Sequence, residues 1–316
     1  MPSPDPDRLA QLQTILATPP GDYATGWADL CRLLDTWRPG AGLEAVLDQV
    51  EAAIAHWPEF VRHTPWQWRE RILTRPNPRL RVARTLDLTY TELGDTGATT
   101  LAALSLLANL RSLNLAKTGI GAAGLAALAQ SPYLTQIEGL TLNYDPVGPD
   151  GVRALAHSPT WAGLQHLHLN DTGLGDMGAA ALATSPYLRQ LRHLTLTYNR
   201  ITAVGVAALA ASPVLGALTS LSLADNPLGD GGVQTLAQSP YLAQLTGLSL
   251  QTADFGDGGA VALAESPYLT RVTELDLQAN AIGKVGKAAL RVVGYHYSRE
   301  EQVWHRKLRR THQAAP

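Results

Sequence analysis

Cysteine occurs once in 316 residues, at Cys31. A single thiol excludes an internal disulfide and any metal site built from several thiolates of one chain. It also suits a reducing compartment. Phe and Met occur only twice each, so Leu and Ala must build the interior. Charged residues make up 16% of the chain against 45% hydrophobic, the reverse of a disordered composition. The formal net charge is −2 with His neutral, so the basic field that a general nucleic-acid binder needs is missing. No charge-free apolar run reaches about 18 residues, so no membrane span is expected. The start, MPSPDPDRLAQLQ, lacks the positive segment and apolar run of a secretory signal. The expected location is the cytoplasm. Catalytic signatures are missing too: there is no GxxxxGK[ST], no GxSxG and no HExxH. Cys31 lies in an expected helix between Trp27 and Trp37 with leucines on both sides, which favours a buried thiol over a nucleophile. No enzyme activity and no cofactor are expected.

What is present is repetition. Leu86-Asp-Leu88 recurs as Leu113-Asn-Leu115, Leu140-Thr-Leu142, Leu167-His-Leu169, Leu194-Thr-Leu196, Leu221-Ser-Leu223, Leu248-Ser-Leu250 and Leu275-Asp-Leu277. Each step is 27 residues, without a slip over eight copies. Within a copy the apolar period changes. An alternating LxLxx segment predicts a strand. A turn follows, often Leu-Gly-Asp-x-Gly, as at Leu93 to Gly97, Leu174 to Gly178 and Leu228 to Gly232. Its Asp (Asp95, Asp176, Asp230, Asp257) is suited to capping a helix. These carboxylates lie on separate turns, which does not make a calcium loop. An Ala- and Leu-rich stretch such as Gly124 to Ala129 then predicts a helix. Ser-Pro ends it at Ser131, Ser158, Ser185, Ser212, Ser239 and Ser266, because proline pushes the preceding residue out of the α region.

One strand cannot bury its leucines alone, so the units must stack. Stacked strands make a parallel sheet, stacked helices cover its back, and the wider helices bend the stack with the sheet inside. The pattern LxxLxLxxNxL resembles the leucine-rich repeat. The long helical half is most similar to the ribonuclease-inhibitor class, and the Ala-x-Ser-Pro-Tyr-Leu ending resembles a bacterial 27-residue variant. The resemblance covers roughly residues 80–293 and implies a right-handed α/β solenoid. It also implies a protein-binding scaffold, inhibitor or immunity-type partner that uses the concave sheet. The family's buried turn asparagine is present as Asn199, Asn226 and Asn280. It is replaced by Thr91, Thr118, Thr172, Asp145 and Ala253, and softness is expected near Ala253.

Both ends differ from the array. Residues 1–79 hold five of the seven tryptophans, and proline clusters divide them into expected helices at about 5–17, 22–37, 42–57 and 58–74. They are read as a helical cap over the first repeat, with a separate interaction module as the alternative. Residues 294–316 are expected to close the array with a helix from Ser298 to about His312, opened by a capping box of Ser298 and Glu301. That segment ends in the basic run 306–310, the one place where a weak, salt-dependent nucleic-acid contact is conceivable.

The period of two tells which side chains leave the sheet on its open face. In each LxxLxLxx unit these are the third, fifth and seventh, with the eighth at the rim. The third column runs Thr85, Ser112, Gly139, His166, His193, Ser220, Gly247, Glu274, and the fifth runs Asp87, Asn114, Thr141, His168, Thr195, Ser222, Ser249, Asp276. The seventh includes Asn143 and Asn170. The eighth runs Tyr90, Lys117, Tyr144, Asp171, Tyr198, Asp225, Thr252, Ala279. The bulky groups concentrate in the central repeats. Tyr144, His166, His168, Asp171, His193 and Tyr198, with Asn143 and Asn170, are the expected partner-binding residues, because aromatic anchors among short polar groups suit a protein interface. The three histidines also offer an alternative, a metal or small-ligand site, since His166 and His168 share a strand face and His193 sits beside His166. They would titrate near pH 6 and make binding pH-dependent. The outward tyrosines Tyr133, Tyr187, Tyr241 and Tyr268 are read as packing.

Overall fold

The computed structural model describes residues 6–19, 21–38, 40–298 and 303–306. Eight three-residue strands stack in parallel: β1 Thr85–Asp87, β2 Ser112–Asn114, β3 Gly139–Thr141, β4 His166–His168, β5 His193–Thr195, β6 Ser220–Ser222, β7 Gly247–Ser249 and β8 Glu274–Asp276. Their register pairs each leucine with the one 27 positions on, Leu86 with Leu113 through to Leu248 with Leu275. Four helices precede the array: α1 Pro6–Leu16, α2 Tyr23–Asp35, α3 Ala41–Ala53 and α4 Trp66–Arg69. Eight helices follow the strands: α5 Gly94–Ala102, α6 Ala122–Ala129, α7 Gly148–Ala156, α8 Gly175–Ala183, α9 Ala203–Ala210, α10 Gly229–Ala237, α11 Asp257–Ala264 and α12 Lys284–Val292. The middle leucine of each strand is buried and its neighbours are not, as the alternation requires. One apolar core runs without a break from Leu12 to Trp304. No helix among the described residues is long and apolar enough to cross a membrane.

Bonds between repeats hold the stack. Each serine of Ser-Pro donates to the last turn of the helix one repeat back: Ser131 to Ala102 O of α5 at 2.6 Å, Ser212 to Ala183 O of α8 at 2.5 Å and Ser239 to Ala210 O of α9 at 2.6 Å. The turn aspartates also act between repeats. The expectation that they cap a helix holds, but the helix belongs to the next unit. Asp95 Oδ1 accepts from Gly121 N and Gly124 N, Asp176 from Thr202 N and Gly205 N, Asp230 from Gly256 N and Gly259 N, and Asp257 from Gly283 N and Gly286 N, all at 2.7–2.9 Å. Each carboxylate reaches across because the helices pack closely. A Cβ at Gly124 would come within 2.6 Å of Asp95 Oδ1, and one at Gly205 within 2.5 Å of Asp176 Oδ1.

The buried turn column continues this pattern. Asn226 Oδ1 accepts from Asn199 N and Ile201 N, while its Nδ2 donates to the carbonyls of Leu196, Leu223 and Ala224. Thr118 and Thr172 supply one hydroxyl donor each, to Leu115 O and Leu169 O. At Ala253 the neighbour compensates: Asn280 accepts from Ala253 N and donates to Leu250 O. Asp145 is the exception. Its Oδ1 accepts from the N–H groups of Thr118, Gly119 and Ile120, but its buried Oδ2 has no hydrogen-bond partner. Burial pushes its carboxyl above the usual range against the pull of those three bonds.

Two end segments depart from expectation. The helix expected at 58–74 is absent. A 3₁₀ turn at Glu59–Val61 and the short α4 stand there, because Arg62 to Thr64 instead extend the edge of the sheet. His63 bridges Thr85 in parallel, Arg84 N donates to Arg62 O at 2.8 Å, and Thr64 N donates to Thr85 O at 2.8 Å. Buried Arg62 donates to Val82 O and fastens the segment. The closing helix is also overturned. Tyr295–Tyr297 forms β9 and Trp304–Arg306 forms β10, with β10 antiparallel to both β9 and β8. The open edge of β8 offers unpaired backbone groups, and Tyr-His-Tyr and Trp-His-Arg are good strand formers with buried Tyr295 and Trp304. Glu301 and basic residues 307–310 lie outside the described residues, while Arg306 stands on β10 over the Tyr295 ring.

Candidate functional site

The strands place the expected site residues as the period of two requires. His166 pairs with Gly139 on one side and His193 on the other, and His168 pairs with Thr141 and Thr195. The imidazoles of His166 and His193 stack, with centroids 4.6 Å apart and planes 8° from parallel. His168 Nδ1 lies 3.1 Å from Thr195 Oγ1. Burial and the neighbouring imidazoles lower the pKa of His168, and burial followed by His193 lowers that of His166. Both shifts favour the neutral imidazole. Stacking turns two of the rings toward each other rather than toward a common point. Among the described residues, no group of three or more His, Cys, Asp or Glu side chains is arranged to hold a metal ion.

Asn143 and Asn170 have structural work on this face. Asn143 Oδ1 accepts from Asn170 N at 2.9 Å, and Asn170 Oδ1 accepts from Thr197 N at 3.0 Å. Their carbonyl oxygens are thus committed to joining repeats. Beside His166 the face sinks into a hollow of about 520 Å³ over Gly139, with Ser112, Thr141 and His168 in its wall. Glu59, Arg111 and Glu138 line it too. Arg111 lies within ion-pairing distance of both carboxylates, 3.3 Å from Glu59 and 2.9 Å from Glu138. Glu59 could not be found from the repeat pattern, because it reaches the face from the N-terminal segment.

The rim column is the most unusual feature. All eight of its residues adopt left-handed backbone, with φ from +50° to +64°. Each from Tyr90 to Thr252 donates its N–H to the seventh residue of the next repeat, such as Tyr144 to Asn170 O at 2.8 Å and Tyr198 to Ala224 O at 3.0 Å. Left-handed backbone costs an ordinary residue on the order of 1 kcal/mol, and Gly, Asn or Asp bear it best. Yet Tyr90, Tyr144 and Tyr198 stand there, 71%, 55% and 62% exposed. Lys117 fills the gap between the first two, its ammonium 5.0 Å from the Tyr90 ring centre and 4.7 Å from that of Tyr144. Tyr90 and Lys117 were legible as members of the column, but the signal that joins them, an aromatic at every second repeat with a cation between, appears only once the rim is assembled. Of the outward tyrosines, Tyr133, Tyr187 and Tyr268 are half-buried and Tyr241 is exposed. Cys31 is buried, and burial raises its thiol pKa, followed by the Asp35 charge, so it is a poor nucleophile.

The leucine-rich-repeat family model matches residues 84–102, 107–129, 164–183, 187–210 and 218–237. No curated protein sequence matches the chain. A similar solved structure is an internalin (inlF) from Listeria monocytogenes, with 22% identity and a TM-score of 0.47, the match covering 67% of this chain and 53% of that one. The chain thus spans about half the length of that structure. Stacked repeats of this kind serve generally as extended binding surfaces for other proteins. Within residues 84–237 the chain thus carries leucine-rich repeats, and the registered 27-residue units continue the same parallel array to β8.

Proposed function

We propose that the chain is a non-catalytic binding module that grips a protein partner on the concave sheet face, in a scaffold, inhibitor or immunity-type role. The observation that carries this reading is the set of exposed tyrosines held in left-handed backbone. Asn or Gly would sit there with less strain, and the Tyr198 ring makes no ring or cation contact among the described residues that would offset it. Unfavourable backbone retained at an exposed aromatic points to recognition. The stacked His166 and His193 and the half-buried His168 lie beside this rim, so anchors and adaptable polar groups form one central patch on β3 to β5. A reducing compartment such as the cytoplasm fits the single buried thiol.

The test is a paired capture experiment from native lysate. One bait is the wild type and the other carries Tyr144→Ala, His166→Ala and Tyr198→Ala, all at exposed positions. A protein captured by the first and lost by the second, with equal circular dichroism for both baits, supports the reading. Equal capture by both baits overturns it. The hollow over Gly139 favours a second reading, a small polar ligand held by Arg111, Glu138 and His166. In that case an Arg111→Ala variant loses the ligand, and a Tyr144→Ala, Tyr198→Ala variant that leaves His166 in place keeps it.

A further inference from the structure

The rim contains an internal comparison. Tyr90, Lys117 and Tyr144 form one bracket, in which the cation lies between two ring faces and its Nζ stands 3.4 Å from Tyr90 Oη. Tyr144, Asp171 and Tyr198 form the next bracket with the charge reversed. The five residues share φ from +52° to +64° and the same backbone bond to the following repeat. The repeat therefore carries Tyr198 relative to Tyr144 as it carries Tyr144 relative to Tyr90. Two strand spacings put the tyrosines of each pair roughly 10 Å apart, which leaves room for one organic cation between the rings. The first gap is filled by the chain's own lysine. In the second, the Asp171 side chain is exposed and makes no hydrogen bond or ion pair among the described residues.

We propose that the Tyr144–Asp171–Tyr198 gap is the receptor for one basic side chain of the partner, a lysine or an arginine. This deepens the protein-binding reading and rests on it. The chemistry is what Lys117 already displays two repeats earlier: each ring face attracts a cation through its quadrupole, and here a carboxylate adds charge pairing. Asp225, one position beyond Tyr198 in the column, adds a second negative charge and draws the same kind of group. Lys117 at the other end of the column repels a second cation. The partner is thus read in one direction, with its basic side chain over Asp171 and any acidic one over Lys117.

The test titrates the full chain, with labelled tyrosine rings, against blocked arginine (N-acetyl-arginine methylamide) and its neutral isostere, blocked citrulline. Tyr→Phe variants assign the ring signals. The expected result is saturable shifts of Tyr144 and Tyr198 with the arginine probe and none with citrulline. Asp171→Asn weakens binding about tenfold. Asp171→Lys abolishes it, because the new side chain fills the gap as Lys117 fills the first; Tyr90→Phe leaves it unchanged. Both Asp171 variants alter an exposed side chain, and their folding is checked by thermal denaturation. Equal shifts with citrulline, no shift with arginine, or shifts that survive Asp171→Lys overturn the proposal. The capture experiment separates this from the broader reading. If a partner is lost with the triple variant but the arginine probe does not bind, the binding face stands and this subsite falls. If capture is indifferent to the triple variant, the face itself falls.

Discussion

The eighth and ninth residues of each repeat are adjacent in one turn and answer to different demands. The ninth, buried from Thr118 to Ala253, must satisfy backbone groups of its own repeat and its neighbour, as Asn226 does with five hydrogen bonds. The eighth is at the rim, where the backbone bond is already made and the side chain is left to solvent. The buried column accordingly keeps to groups that hydrogen-bond or stay small: Asn, Thr, Asp and one Ala. The rim column ranges over Tyr, Lys, Asp, Thr and Ala while its backbone never changes. Stability is concentrated in one column, and the side chains of the other are free to vary.

The largest effect should come from breaking the buried column. Asn226→Ala strips donors and acceptors from five buried backbone groups and is expected to cost about 3 kcal/mol, read as a fall in the urea midpoint. Asp145→Asn should do the opposite. An amide nitrogen in place of the orphaned Oδ2 can donate as Asn226 Nδ2 does, and the variant is expected to gain about 1–2 kcal/mol at neutral pH. The gain depends on pH. A carboxyl whose folded pKa is raised contributes its stability below the unfolded value, ~3.9, and loses it as pH rises through the folded value. The difference between variant and wild type in thermal scans should therefore shrink as the pH falls toward 4.

Changes at the rim should separate binding from stability. Tyr198→Asn places a residue suited to left-handed backbone, so stability should hold or rise by up to about 1 kcal/mol. Partner capture should fall at the same time, by about tenfold. A matching loss of stability would show that the rim tyrosine belongs to the fold after all. The smallest effect concerns the histidines. The folded pKa values of His166 and His168 are lowered, so the protein should lose stability as pH falls below about 6.5, where the unfolded chain takes up protons first. A His166→Gln, His168→Gln variant should show a flatter melting temperature between pH 7.5 and 5.5.

Much of the repeat was legible because its signals are local and periodic. Leucine alternation located all eight strands of the array, Ser-Pro marked the helix ends, and the columns of the sheet followed from counting by two and by 27. The misread segments lie where a partner distant in sequence decides. Residues 58–74 carry apolar and charged residues that suit a helix, yet pairing with Thr85 pulls residues 62–64 into the sheet edge. Ser298 suits a capping box, yet the open edge of β8 recruits Trp304 to Arg306 as a strand. The turn aspartates were recognised as caps, but their helix lies 26 to 29 residues on. Of the candidate site, the central histidines and tyrosines were found in their columns. The hollow at Glu59 and the bracketed cation at Lys117 were not.

The leucine period alone makes this chain a stack of eight like units and says which side chains each unit turns outward, because it admits one burial pattern. What those side chains do together follows from the assembled stack. Residues 27 and 54 positions apart in the chain become neighbours one and two strands apart, and that proximity turns a lysine between two tyrosines into a filled site and an aspartate between two tyrosines into an open one.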